Sequence, residues 1–79
     1  MENRKYLHHL KTVQEVFDTL GGPTEIGKLM STEEHPVPYR VAQNWNGLYN
    51  RFPARTYVKM QRLLRKRGYT APADLWGML

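Results

Sequence analysis

The chain has 79 residues, of which 41% are hydrophobic and 24% charged; that length accommodates one small domain with a single core and excludes two. It has no cysteine, which removes disulfide frameworks and thiolate metal sites, and no apolar run near the roughly 18 residues that suggest a membrane span. The net charge of +5 is unevenly placed: residues 1–34 sum to −2, whereas residues 35–73 carry eight basic side chains, Arg40, Arg51, Arg55, Lys59, Arg62, Arg65, Lys66 and Arg67, and no acid. Such asymmetry favours a polyanionic partner, either nucleic acid or an anionic membrane surface.

The opening MENRKYLHHL lacks the continuous apolar stretch of a signal peptide, so a cytoplasmic location is expected, with residues 1–9 as a flexible arm. His8 and His9 are adjacent and would point in different directions on a helix. With His35 they form no Glu-x-x-His or His-x-x-x-His pair, so surface histidines and no metal site are expected.

Leu10, Val13, Phe17 and Leu20 recur at helical spacing, Thr12 with Glu15 has the pattern of a capping box, and Gly21-Gly22 closes the segment. A first helix is therefore predicted from about Leu10 to Leu20. Pro23 suits the first turn of a second helix, which Ile26, Leu29 and Met30 give an apolar face. Gly27 inside it makes sense if another helix approaches closely, the alternative being a tolerated glycine in a frayed helix. STEEHPVP has two prolines and no periodicity, and reads as a connection.

Pro38 opens a third helix. At about 100° per residue, Pro38, Val41, Ala42, Trp45, Leu48 and Tyr49 gather on an inward side, and Tyr39, Arg40, Gln43, Asn44, Asn46 and Gly47 on the other. Trp45 is thus an inward anchor. The outward set is rich in hydrogen-bonding groups and almost free of the Glu and Lys pairs that decorate an ordinary solvated helix.

Pro53 marks another helix start, with Tyr57, Met60, Leu63 and Leu64 as its apolar stripe. Arg55, Lys59, Arg62 and Lys66 share its opposite face with no acid nearby in sequence, which points to an anionic partner. Val58 borders that face, either touching a second subunit or simply exposed. Gly68 ends the helix. Residues 72–79 are expected to add one or two turns in which Leu75, Trp76 and Leu79 pack on the core, a small apolar dimer contact being the competing reading. The predicted fold class is all-α, a compact bundle of four to five short helices in one domain over residues 1–79, without strands or repeats.

A nucleophile with a base, a metal constellation, a phosphate-cradling glycine loop and a pocketed carboxylate pair are all missing from the pattern, so no enzymatic activity and no cofactor are expected. Gly21-Gly22-Pro23-Thr24 has no Gly-x-x-x-x-Gly-Lys context, and Glu33-Glu34 suits a solvated loop. The third helix, by contrast, carries base-reading chemistry. Arg grips guanine through O6 and N7, and Gln or Asn makes the matching pair of bonds to adenine. Tyr39, Arg40, Gln43 and Asn44 are therefore the expected base readers of double-stranded DNA, a merely polar surface being the other reading of Gln43 and Asn44. The second helix would cross the backbone, and Thr24, Lys28, Asn46, Arg51, Arg55, Lys59 and Arg62 are the expected phosphate contacts.

The order TLGGPTEIGKLM, VAQNWN, NRFPARTYVKM and RGYTAPADLW, over about residues 13–76, resembles the small Cro-type helix-turn-helix proteins of phages and prophages, particularly the YdaS-like group. The resemblance implies a compact helical transcription regulator of Cro/repressor-like type, often acting as a homodimer on paired half-sites. One departure stands out: STEEHPVP replaces a tight turn and is roughly five residues longer than the common motif. The extended loop could itself approach DNA or a partner. The alternative function is a protein-interaction module, an antitoxin or transcription adaptor, that uses the basic C-terminal helix.

Overall fold

In the computed structural model, which describes residues 7–78, Thr12 opens the first helix. Its hydroxyl accepts from the Glu15 amide at 3.1 Å while the Glu15 carboxylate accepts from the Thr12 amide at 3.1 Å, so two otherwise orphaned donors are satisfied reciprocally. Helix α1, Val13–Leu20, buries Val13, Val16, Phe17 and Leu20. Leu10 lies before the helix rather than in it. Gly21, at φ +102°, ends α1 by donating to the Phe17 carbonyl and leads directly into α2, Gly22–Met30. That left-handed conformation strains any side chain with a Cβ, and so the turn between the helices needs only one residue.

Gly27 is buried on α2, where a Cβ would lie 2.6 Å from the Val37 carbonyl oxygen. The close neighbour is thus the end of the following connection, not another helix as the sequence suggested. Residues 31–38 close on themselves: the Ser31 hydroxyl accepts from the Val37 amide at 2.7 Å, and the Thr32 hydroxyl accepts from the His35 amide at 2.9 Å. Val37 is buried and seats the loop on the core. Gly27→Ala should therefore cost about 1–3 kcal/mol, since backbone must move. Gly47→Ala, with nothing within 4 Å, should be neutral or gain up to about 1 kcal/mol in a helix. Urea melts of the two variants check this; equal midpoints would mean that the loop does not press on α2.

Helix α3, Tyr39–Gly47, packs mainly on α2 and buries only Ala42 and Trp45. The inward assignment of Pro38, Val41, Leu48 and Tyr49 is corrected: Pro38 is exposed, Val41 is 38% exposed, Leu48 67% and Tyr49 63%. The helix ends at Gly47, so the helical projection no longer applies beyond it, and Asn50 turns the chain at φ +50°. Phe52 takes the inward place instead. It lies between Phe17, Trp45 and Trp76, at ring-centroid distances of 5.6, 6.1 and 5.1 Å.

A 3-10 turn, Ala54–Thr56, enters helix α4, Tyr57–Lys66, which buries Met60, Gln61 and Leu64. Tyr57 and Leu63 pack on the core from its edge. A second 3-10 turn, Ala73–Trp76, buries Trp76 and half-buries Leu75, so for these two residues packing on the core is what occurs. Leu79 lies outside the described residues.

The described residues are mostly helical, but the expectation of no strand is corrected by one short parallel pair, β1 (His8–His9) with β2 (Tyr69–Thr70). The His8 amide donates to the Gly68 carbonyl at 2.9 Å and the Leu10 amide to the Thr70 carbonyl at 2.8 Å. Buried Gln61 braces β2 by donating to the Ala71 carbonyl at 2.6 Å. Of the expected arm, residues 1–6 lie outside the described residues, while His8 and His9 are pinned in a strand rather than free or helical. Among the described residues no helix is long and apolar enough to cross a membrane.

Candidate nucleic-acid interface

Trp45 and Ala42 fix one side of α3 to the core and leave the rest of the helix to solvent. Tyr39, Arg40 and Gln43 are exposed and Asn44 is half-buried. Their i, i+1, i+4 and i+5 spacing puts them on one continuous face. No acid lies in the first turn of α3, and its sequence YRVAQNWNG contains none at all. All four expected base readers are thus on one short, externally open helix.

Asn46 has a different duty from the one expected. It is half-buried, and its amide nitrogen donates to Gln14 Oε1 at 2.7 Å, tying α3 to α1. Gln14 in turn donates to Asp18 Oδ1 at 2.9 Å. This polar chain orients α3 from the side opposite the loop, and the reading face owes its position to it as well as to Trp45.

The expected phosphate contacts do not form a single cluster. Thr24 and Lys28 are exposed on α2. Arg51 lies beside Trp45, Leu48, Tyr49 and Phe52 at the C-terminal end of α3, with Cδ and the guanidinium end of its side chain against Gly77. Arg62 stands with Arg65 along a shallow groove around Val58, which is 61% exposed. Arg55 and Lys59 line an open cleft of about 500 Å³.

The same cleft is lined by Glu33, Glu34 and His35 from the connection between α2 and α3. Residues 35–73 contain no acid of their own, yet the fold brings two carboxylates from the preceding loop to the N-terminal end of the basic helix. Charge counting along the chain missed this because the partners are more than twenty residues apart. Arg65, next to Arg62 in space, is a cation that the heptad-like spacing of Arg55, Lys59, Arg62 and Lys66 passed over. Among the described residues no group of three or more His, Asp or Glu side chains could hold a metal ion.

No family model matches this chain, and no curated protein or solved structure is detectably similar to it.

Proposed function

We propose that this protein is a sequence-specific, double-stranded DNA-binding transcriptional regulator of Cro-like type, working by binding rather than by catalysis. In this reading α2 and α3 act as a helix-turn-helix pair with a lengthened connection. One observation carries it: an acid-free helix, anchored by Trp45, turns Tyr39, Arg40 and Gln43 to solvent together, while exposed cations stand on α2 at Lys28, beside its C-terminal end at Arg51, and along α4. Side chains of these types meet base edges in the major groove, and the cations meet phosphates. The resemblance to Cro-type proteins points the same way and adds a second copy on a paired half-site, with action in the cytoplasm.

The division of labour is testable. Gln43→Ala should cost about 1–3 kcal/mol on the preferred site and little on random duplex. Arg62→Ala should weaken binding to every sequence alike and reduce the salt slope by about 1. Titrations of both variants on a preferred and a scrambled duplex measure the two effects, and uniform losses from both would sink the assignment of Gln43 to base reading.

A second reading rests on Val58, exposed on α4 one turn before Arg62 and two before Arg65 in a shared groove. An acidic peptide with an apolar side chain fits that groove, as an adaptor or antitoxin would require. A salt-tolerant sequence preference on DNA separates the first reading from the second.

A further inference from the structure

Glu33 and Glu34 share a cleft with Arg55 and Lys59, although the connection carrying them reads in sequence as solvated loop. A space of about 500 Å³ is on the order of 10 Å across, about one Debye length at 0.1 M salt. At about one Debye length the attraction between the two carboxylates and the two cations is weakened by solvent ions but still felt. Nor is the loop free to withdraw. Ser31 and Val37 close its ends at 2.7 Å, Thr32 and His35 close its tip at 2.9 Å, and Val37 is buried where Gly27 lets its carbonyl approach.

We infer that Glu33 and Glu34 are specificity-determining residues that mask Arg55 and Lys59 from nucleic-acid phosphates. This rests on the DNA reading and refines it. A phosphate entering the cleft meets two cations and two carboxylates, so its net attraction is small and the counterions it releases are few. Arg62, Arg65 and Lys66, exposed farther along α4, do not line this cleft and keep their full value. Sequence-independent affinity is thereby held below what the cation count of the chain implies. Base reading by α3, which does not depend on the masked pair, then supplies a larger share of the binding.

The test compares Glu33→Gln/Glu34→Gln with Glu25→Gln/Asp74→Asn, which makes the same change in net charge at exposed positions outside the cleft. Each is titrated with duplex DNA of random sequence at about 50 and 200 mM salt, and its elution salt from a heparin column is recorded. Unmasking should tighten duplex binding about three- to tenfold at the lower salt, the scale of two exposed ion pairs. It should also steepen the salt slope by about 1–2. The control pair should change affinity by less than about twofold, given screening over such distances. In an Arg55→Gln/Lys59→Gln background, the gain from the loop variant should shrink to that of the control. A loop variant indistinguishable from the control, or a gain that survives loss of Arg55 and Lys59, overturns the inference. If the wild type binds no duplex at the lower salt, the DNA reading fails on its own, and the heparin shift and its dependence on Arg55 and Lys59 still decide whether the loop masks them.

Discussion

Trp76→Ala is expected to remove about 3–5 kcal/mol of stability, which is most of what a domain this small holds. Trp76 is 2% exposed and packs against Phe52 at 5.1 Å and edge-on to Tyr57 at 5.2 Å. Its indole nitrogen donates to the Thr56 hydroxyl at 3.1 Å, and that hydroxyl donates onward to the Pro53 carbonyl at 2.7 Å. The C-terminal turn, the entry to α4 and the aromatic centre are thereby one unit. Trp76→Phe keeps most of the buried ring area and removes only the polar link, so it should cost about 1–2 kcal/mol. Chemical denaturation of the two variants, followed by far-UV circular dichroism, gives both numbers. An alanine variant as stable as the wild type would show that the last turn is not part of the core.

Trp45→Ala is the second large effect, again about 3–5 kcal/mol, with a different consequence. Trp45 and Ala42 are the buried residues of α3, and Trp45 is 4% exposed. Removing the indole leaves α3 held by a methyl group, the Asn46–Gln14 hydrogen bond and the Arg51 amide's bond to the Trp45 carbonyl at 2.8 Å. Loss of the reading helix should precede loss of the rest, because α1, α4 and the Phe17–Phe52–Trp76 contacts do not pass through Trp45. Amide exchange at Gln43 and Asn44 should therefore rise more than exchange at Met60 and Leu64. Equal changes in both regions would mean that α3 does not open separately.

The parts of this fold that could be read along the chain are those whose cause is local. The Thr12–Glu15 cap is an i, i+3 pairing, Gly21 marks a one-residue turn, and Trp45 follows from helical spacing. Each needs only its own segment. Phe52 and Val37 were not legible because they lie in connections, where periodicity carries no information, yet both are buried in the core. The β1–β2 pair was invisible for a related reason: two-residue strands have no alternation, and His8 meets Tyr69 across almost the whole chain. Nothing along the chain marks Gln61, on a basic helix, for burial. Only its bond to the Ala71 carbonyl gives it a reason to be inside.

The candidate interface divides similarly. Tyr39, Arg40 and Gln43 share an exposed face because helix geometry places them there. The inward set failed at both ends: Pro38 only caps α3, Val41 lies at the edge of its buried side, and Leu48 and Tyr49 follow its last residue and stay on the surface. That Glu33 and Glu34 share a cleft with Arg55 and Lys59 at the start of α4 is a tertiary fact, and the eight-residue connection 31–38 between α2 and α3 creates it. That connection brings two carboxylates beside the first cations of the basic helix, which is what the proposed masking rests on.

Selection of bound sequences from a random duplex DNA pool at about 50 and 200 mM salt tests the proposed function most directly. Base reading by α3 predicts one enriched motif that persists at the higher salt and is lost with Gln43→Ala. Enrichment of no sequence, with all binding gone at the higher salt, would contradict it.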